Sequence, residues 1–195
     1  AVKCVGFVGR VVPIKDVKTL LRAARLLVER RDDVEFLIAG PYSEDLDYFE
    51  ECQKIVHLLQ LENKVTFLGK QKLTDVIPRI DVMVLTSISE GLPLVVLEAM
   101  AAGIPTVATD VGACRELIFG RTPEDKALGR AGRLTKILSP QETALALATT
   151  LENPDQWRSM GTSGRLRVEQ CYTMTLMIDS YRDLYRVASA ATSPT

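Results

Sequence analysis

The amino-acid sequence predicts a doubly wound α/β domain: a parallel sheet of about six strands, followed by a C-terminal cluster of helices. Short apolar runs rich in β-branched residues alternate with longer runs of helical period over residues 1–110. The chain has 195 residues, of which 47% are hydrophobic, and this is enough to bury a core. A net charge of −1 removes the usual grounds for expecting a nucleic-acid or membrane-surface protein.

The predicted strands are short apolar runs, a pattern typical of strands that are covered on both faces. A strand–helix alternation of this kind favours parallel pairing through right-handed crossovers. The runs occupy residues 2–8, 34–39, 65–68, 81–85 and 106–108, with a sixth near 131–135.

Helices are predicted where apolar residues recur at helical spacing between these runs. They cover 17–28, 46–59, 74–78 and 93–102, the last with Pro93 in its first turn and Gly103 as its stop. Residues 120–132 contain three glycines and are predicted to form a loop. Later helices are predicted from the capping-box match at 139–142, from Asn153-Pro154 and from Thr173 onward. Residues 1–190 are expected to form one domain, with 191–195 as a frayed tail.

Several functional classes find no support in this sequence. The four cysteines lie far apart without metal-ligand spacing, so we expect buried thiols. The single histidine, His57, has no nucleophile motif beside it, and we expect an ordinary imidazole. The apolar stretch 91–109 is broken by Glu98, prolines and glycines, unlike a membrane span. The chain starts at Ala1 and enters a strand at once without a signal-like leader, which suggests either a domain cut from a longer protein or a processed one.

Ligands of open α/β sheets bind beyond the carboxyl ends of the strands, and two loops at those positions carry informative polar residues. The first loop holds Arg10 and Lys15, whose guanidinium and ammonium groups suit a diphosphate. Basic residues before a helix are, however, more often simply solvated. Asp16, which follows, is expected to be the helix N-cap.

The second loop carries Glu90, with Glu98 eight positions later as the only charged residue between Glu90 and Asp110. A lone carboxylate on an apolar helix is costly unless a ligand or another protein group pairs with it. Gly91 and Leu92 offer backbone N–H groups at the helix start, where phosphate is favoured. The two carboxylates, separated by roughly 8 Å of helix, could each reach one end of a nucleotide sugar.

Two competing interpretations are weaker. Asp45-Leu46-Asp47 matches an Asp-x-Asp metal pattern, but it lies in the first turn of a helix, where acidic residues complement the helix dipole. Neither the glycine fingerprint of dinucleotide-binding folds nor the Gly-Lys-Ser/Thr of a P-loop is present, which argues against those two classes.

Taken together, Glu90, Glu98, the Arg10/Lys15 pair and the Ala-Gly-Ile-Pro run at 102–105 resemble the donor-binding half of family-4 retaining glycosyltransferases. These enzymes have the GT-B fold, so the resemblance implies that the domain is one Rossmann-like half of it. Longer segments look like the PelF-type transferases of the Pel exopolysaccharide system; they are 9–16, 84–90, 93–99 and 110–118.

The resemblance implies a role for each matching residue. Arg10 and Lys15 would act catalytically by neutralising the diphosphate of the leaving nucleotide in place of a metal, so no metal cofactor is expected. Glu90, the third catalytic residue, would hold the transferred sugar and, with the amides after it, the distal phosphate. Glu98 would hold the ribose hydroxyls. The remaining substrate-binding positions would be the base-facing Lys70 and Gln71 and the phosphate-facing segment formed by Gly91, Leu92, Pro93 and Leu94.

The resemblance also implies UDP-glucose as the donor, and retention of configuration without a covalent nucleophile. One departure is Asp16, where many members of the family have glycine after the lysine. The expected partners are a nucleotide sugar, the N-terminal acceptor domain of the same enzyme and a membrane-embedded exopolysaccharide synthesis complex, with no nucleic acid. The expected location is the bacterial cytoplasm, and the isolated chain should bind a uridine nucleotide without turnover.

Two alternatives remain at this stage. The chain could be the corresponding half of a sugar-nucleotide epimerase with a similar fold, although that chemistry needs histidines near the cleft and His57 lies away from the strand ends. It could also be a binding module that kept the nucleotide site without catalysis.

Overall fold

The computed structural model describes residues 2–191, with side-chain environments through residue 187. Apart from Ala191, the predicted tail at 191–195 lies outside the described residues. The described part forms one parallel six-stranded sheet with the order β3-β2-β1-β4-β5-β6. The predicted fold class is therefore confirmed. Each predicted strand matches an observed one to within two residues: β1 (Lys3–Val8), β2 (Val34–Ala39), β3 (Val65–Gly69), β4 (Val82–Leu85), β5 (Thr106–Thr109) and β6 (Gly132–Thr135).

Helices cover both faces of this sheet and continue past its last strand. Short 3₁₀ turns precede α1 and follow α3, at Pro13–Lys15 and Ile77–Arg79. The α-helices of the described part are α1 (Val17–Val28), α2 (Leu46–Leu58), α3 (Leu73–Val76), α4 (Leu94–Ala101), α5 (Cys114–Phe119), α6 (Pro123–Ala127), α7 (Pro140–Glu152), α8 (Pro154–Cys171) and α9 (Met174–Ala191).

Two local predictions were wrong, and one helix was not predicted. The region 120–132 is not entirely a loop, because α6 forms within it; the Thr122 hydroxyl caps this helix by accepting from the Asp125 amide. The residues before it, at 114–119, form α5. The capping box at α7 does not form, because the side chain of Ser139 makes no cap bond and Glu142 instead accepts from the backbone amide of Lys136 at 3.0 Å.

The core lies in layers on the two faces of the sheet. Side chains of α1, α2 and α7 pack on one face around Phe7, Phe36 and Leu147. On the other face, α4, α5 and α8 pack around Val96, Met100 and other buried residues. Each face buries apolar strand residues, which explains the continuous apolar runs in the sequence.

The largest fully buried polar side chain is that of Arg167 in α8. Its guanidinium donates to the carboxylate of Asp125 and to the backbone carbonyls of Leu117, Ile118, Asp125 and Gly129. All five N–H groups of this arginine are therefore used. The interaction joins α8 to the chain segment between α5 and β6.

The cysteines follow the sequence prediction in three of four cases. Cys4, Cys52 and Cys114 are buried, whereas Cys171 at the end of α8 is exposed, contrary to the prediction. Burial raises the pKa of Cys4 to about 12 and those of Cys52 and Cys114 to about 11.

Within residues 2–191, no helix combines the length and the apolar character needed to cross a bilayer.

Candidate functional site

The topology itself identifies the place where a ligand fits. The order of the strands reverses between β1 and β4, which lie side by side, while α1 and α4 cover opposite faces of the sheet. At such a switch point the loops after the two strands diverge and leave a crevice at their carboxyl ends. The loop after β1 carries Lys15, and the loop after β4 carries Glu90.

Lys15 and Glu90 meet in this crevice although 75 positions separate them in the sequence. Lys15 Nζ lies 2.5 Å from Glu90 Oε1, and the two side chains are 19% and 12% exposed. The Ser87 hydroxyl donates to the same oxygen at 2.6 Å. Partial burial reduces the screening of this ion pair by water, so the cluster holds its geometry better than a surface pair does.

Two buried hydroxyls and one backbone amide join the loops that form the crevice. Thr86 donates to the carbonyl of Lys15 at 3.0 Å, and Thr109, at the end of β5, donates to the carbonyl of Ser87 at 2.6 Å. The amide of Ile88 also donates to the carbonyl of Ile14 at 2.9 Å. Sequence analysis missed these hydroxyls; their signal is the presence of Thr and Ser directly after apolar strand residues, where polar groups would otherwise be costly to bury.

Glycine at position 112 is required by a close approach of two loops. Gly112 has φ +51°, and a Cβ there would lie 2.2 Å from the carbonyl oxygen of Glu90. The next amide, Ala113, donates to the carbonyl of Gly91 at 2.9 Å. The loop after β5 therefore supports the backbone that carries Glu90.

The residues just before α4 carry two backbone N–H groups that a ligand could bind. Among the described residues, the amides of Gly91 and Leu92 donate no hydrogen bond. Pro93 is the residue that caps α4, not a first-turn residue as predicted, and the helix begins at Leu94. Free amides and the positive end of the helix dipole together favour an anion at this position.

Arg10 lies at the same edge of the sheet, but the structure does not join it to Lys15. Its guanidinium pairs with Glu44 from the loop after β2, and both side chains are about half exposed, at 51% and 52%. In this arrangement each of the two cations carries a carboxylate partner. An anionic ligand that binds Arg10 must therefore displace the carboxylate of Glu44. One that binds Lys15 must either displace Glu90 or bind beside the Lys15–Glu90 ion pair.

The remaining predicted residues are exposed. Glu98 lies on the solvent-facing side of α4 and makes no side-chain hydrogen bond to the described residues. The argument that its carboxylate would be costly to leave unpaired was wrong, because α4 buries only Val96, Ala99 and Met100. Lys70 and Gln71 are exposed in the loop after β3.

The loop after β3 is nonetheless held in place. The Gln71 side-chain amide donates to the carbonyl of Leu68 at 2.8 Å. The amide of Gly40, after β2, donates to the carbonyl of Gly69, also at 2.8 Å. A Cβ at Gly40 would lie 1.8 Å from the carbonyl oxygen of Gly9, so the loops after β1 and β2 also touch.

The competing motifs have ordinary structural roles. The Asp45 carboxylate caps α2 by accepting from the amide of Tyr48 at 2.9 Å. Within residues 2–191, no three His, Cys, Asp or Glu side chains cluster in a way that could hold a metal ion. His57 is 84% exposed and its Nδ1 lies 2.7 Å from Glu62, away from the crevice.

Asp16, expected to be the N-cap of α1, has that role. Its backbone is left-handed, with φ +47°, and its carboxylate caps α1 by accepting from the amide of Thr19 at 3.2 Å. A left-handed residue costs less as glycine or as an aspartate that bonds locally. Aspartate is therefore compatible with the turn that follows Lys15.

A cavity of about 540 Å³ lies beside the crevice, between the start of α4 and the last helix, α9. Leu92 and Leu94 line it on one side, and Met177 and Tyr181 on the other. Its lining is mainly apolar, unlike that of the crevice. The cavity therefore suits an apolar group, whereas the cluster around Glu90 suits a charged or hydroxyl-bearing one.

Comparisons with known proteins show the fold and the family of this chain. A D-inositol 3-phosphate glycosyltransferase from Gordonia bronchialis is 34% identical over 188 residues, which are 91% of this chain and 39% of that protein. Among solved structures, Anabaena HepE in complex with UDP and glucose aligns with a TM-score of 0.83 and 24% identity, over 95% of this chain and 48% of that one. The C-terminal domain of the group 1 glycosyl transferase LpcC from Francisella tularensis aligns with a TM-score of 0.75 and 24% identity, over 88% of this chain and 87% of that one.

This chain thus spans about two fifths of the Gordonia protein and about half of HepE. The match to LpcC, in contrast, extends over most of an isolated C-terminal domain. The family model described as glycosyl transferases group 1 matches residues 2–167, which include the whole sheet and every polar group described in the crevice. The chain belongs to the glycosyl transferases group 1 family.

Proposed function

We propose that this chain is the donor-binding domain of a retaining glycosyltransferase that transfers glucose from UDP-glucose in Pel-type exopolysaccharide synthesis. The observation that carries the proposal is the Lys15–Ser87–Glu90 cluster at the switch point, beside the free amides of Gly91 and Leu92. Within one crevice it supplies a cation, a carboxylate and anion-binding N–H groups.

The first step that these groups support is departure of the nucleotide. As the bond from sugar to diphosphate breaks, negative charge grows on the leaving diphosphate. The ammonium of Lys15 and the amides at the start of α4 stabilise that charge. Arg10 adds a second cation once its guanidinium leaves Glu44 for the ligand. Because Lys15 and the amides at the start of α4 are positioned before the ligand arrives, this part of the site reorganises little during the reaction, and we propose that no metal is needed.

Sugar and nucleoside recognition are assigned to the remaining residues. Glu90 accepts hydrogen bonds from sugar hydroxyls through Oε2, the oxygen that Lys15 and Ser87 do not contact. Glu98, exposed on α4, accepts hydrogen bonds from the ribose hydroxyls. Lys70 and Gln71 lie against the base, on the loop that the Gly40–Gly69 hydrogen bond holds.

UDP-glucose is the donor supported by the present observations. HepE, which has the same domain fold, is known in complexes with UDP, with UDP and glucose, and with UDP-glucose. The resemblance of four segments to PelF-type transferases favours an exopolysaccharide product. The Gordonia relative favours a second candidate, in which the acceptor is D-inositol 3-phosphate.

An N-terminal acceptor domain is the proposed partner. Four large apolar side chains at the crevice are more than one third exposed, a pattern that favours a covering surface. They are Ile14, Ile88, Leu92 and Leu94. In this proposal the two-domain enzyme works in the bacterial cytoplasm beside a membrane-embedded synthesis complex, and the chain alone binds donor without transferring sugar.

The test is calorimetric titration of the chain with UDP, UDP-glucose and GDP, with and without a chelator. We expect binding of both uridine ligands, weaker binding of GDP and no effect of the chelator. Lys15→Ala should weaken binding at least tenfold, because it removes a partly buried cation from the diphosphate. Lys18→Ala is the matched control, since Lys18 pairs with Glu51 on α2.

Glu98→Gln should lower the affinity for both UDP and UDP-glucose, since both contain the ribose. Absence of binding by either uridine ligand would refute the donor-site proposal. A strict need for a divalent cation would refute the metal-independent form of it. Turnover of UDP-sugar into an epimer would favour the epimerase alternative instead. Binding by the chain but no transfer by the full-length enzyme would favour the non-catalytic module.

A further inference from the structure

We propose that Ser87 is a positioning residue for Glu90. Its hydroxyl, together with the ammonium of Lys15, engages Oε1 of Glu90 and so reserves Oε2 for a hydroxyl of the donor sugar. The two donors lie 2.6 Å and 2.5 Å from Oε1. Within residues 2–191, Oε2 has no hydrogen-bond partner. The assignment of Oε2 to the sugar rests on the proposed function, whereas the positioning itself does not.

Two hydrogen-bond donors on one oxygen restrict the rotation of a carboxylate more than a single donor does. A carboxylate has two equivalent oxygens and can exchange them by rotating about its terminal bond. An ammonium on a flexible stem follows such a rotation, because its three donors also rotate. The hydroxyl of Ser87, in contrast, is on a short side chain with a fixed backbone, and it approaches Oε1 from a different side than the ammonium does. With both donors in place, the orientation of the Glu90 carboxylate is set before a ligand binds.

Ser87 can do this because its own position is fixed. It is fully buried, and its carbonyl accepts from the Thr109 hydroxyl at 2.6 Å. It is the second residue after the end of β4 and lies three positions before Glu90. The link between the sheet and the carboxylate is therefore short and shielded from water.

The neighbouring hydroxyls differ from that of Ser87 in one respect. Thr86 and Thr109 donate to backbone carbonyls, those of Lys15 and Ser87, and so hold the loops together. Of the three, Ser87 is the one whose hydroxyl reaches the side chain of Glu90. This difference allows a positioning role to be separated from a purely structural one.

The test compares Ser87→Ala with Thr86→Val, which removes an adjacent buried hydroxyl of purely backbone function. The first measurement uses the chain without ligand and follows the carboxyl ¹³C resonance of Glu90, assigned by its loss in Glu90→Gln. We expect this resonance to move in Ser87→Ala and to stay in Thr86→Val. Ser87→Thr, which keeps the hydroxyl, should restore it.

The second measurement is affinity for UDP-glucose and for UDP in the same variants. Ser87→Ala should weaken UDP-glucose binding by roughly tenfold, the loss expected from misplacing one charged hydrogen-bond acceptor, and change UDP binding less than about twofold. Thr86→Val should change the two affinities by an equal factor. Ser87→Thr should again restore the wild-type ratio.

The outcomes separate this inference from the proposed function. An unchanged Glu90 resonance in Ser87→Ala would overturn the positioning role. Equal losses for UDP and UDP-glucose, together with a melting point lowered as in Thr86→Val, would show a structural role and overturn it as well. If the wild-type chain binds neither ligand, the proposed function fails, and the resonance alone then decides whether Ser87 positions Glu90.

Discussion

Replacement of Arg167 by methionine tests the energetic weight of the one fully buried guanidinium in the described part of the chain. The substitution keeps a long apolar stem in α8 and removes every N–H donor. Five hydrogen bonds are lost, one to the carboxylate of Asp125 and four to backbone carbonyls. Asp125 keeps one donor, the amide of Arg121 at 2.8 Å.

The expected cost follows from these contacts. Breaking a buried ion pair by removing one partner costs about 3–5 kcal/mol, because the remaining charge is left uncompensated. The amide of Arg121 moderates that loss, and methionine regains some apolar burial. We therefore expect about 3 kcal/mol, a large share of the roughly 5–15 kcal/mol that stabilises a typical domain. This corresponds to a melting point lower by about 6–12 °C in a chain of this size.

Urea unfolding followed by circular dichroism measures the effect as a change in midpoint at constant slope. The control is Arg165→Met on the same helix, since Arg165 is 59% exposed and lies 3.9 Å from Glu169. It should change the free energy of unfolding by less than about 0.5 kcal/mol. A loss below about 1 kcal/mol in Arg167→Met would refute the reasoning, because the buried guanidinium would then contribute no more than a surface one.

Three further predictions concern local backbone and thiol chemistry. Gly112→Ala should cost at least about 2 kcal/mol in urea unfolding and weaken UDP-glucose binding, because its Cβ would displace the backbone of Glu90; unchanged binding would contradict this. Leu138→Gly should stabilise the chain by about 0.5–1 kcal/mol, because Leu138 is left-handed at φ +54°; destabilisation would instead indicate packing by its side chain. At pH 8, a thiol reagent should modify Cys171 alone and reach four thiols only in denaturant, because burial keeps the others protonated; fast reaction of Cys4 would contradict this.

The sheet could be predicted because each strand has a recognisable pattern in its own short stretch of sequence. Apolar β-branched runs bounded by glycine and charged residues recover all six strands, and their alternation with helical patterns fixes parallel pairing. The short helices α5 and α6 were not predicted, because six and five residues are too few to show a helical period. At α6 the Thr-Pro pair at 122–123 was still a readable start signal.

The site was predictable in part. Lys15 and Glu90 stand out because the loops that follow parallel strands gather at one edge of the sheet, and both residues lie in such loops. The ion pair between Arg10 and Glu44 could not be foreseen, since it depends on how the loops after β1 and β2 touch. The burial of Ser87, Thr86 and Thr109 had only a weak signal, their position after apolar strand residues, because hydroxyl residues at such positions are also common on surfaces.

Because hydrogen bonds connect the loops after β1, β4 and β5, binding of any ligand in the crevice depends on the folding of the whole domain. The crevice is assembled from residues as far apart as Ile14 and Thr109, joined by backbone and hydroxyl bonds. A partly folded chain cannot hold these loops in register, and such long-range contacts form late and slowly. A ligand that occupies the crevice therefore stabilises the folded chain as a whole, by RT ln(1 + [L]/Kd). A rise in melting temperature with added nucleotide then serves as a direct screen for the donor.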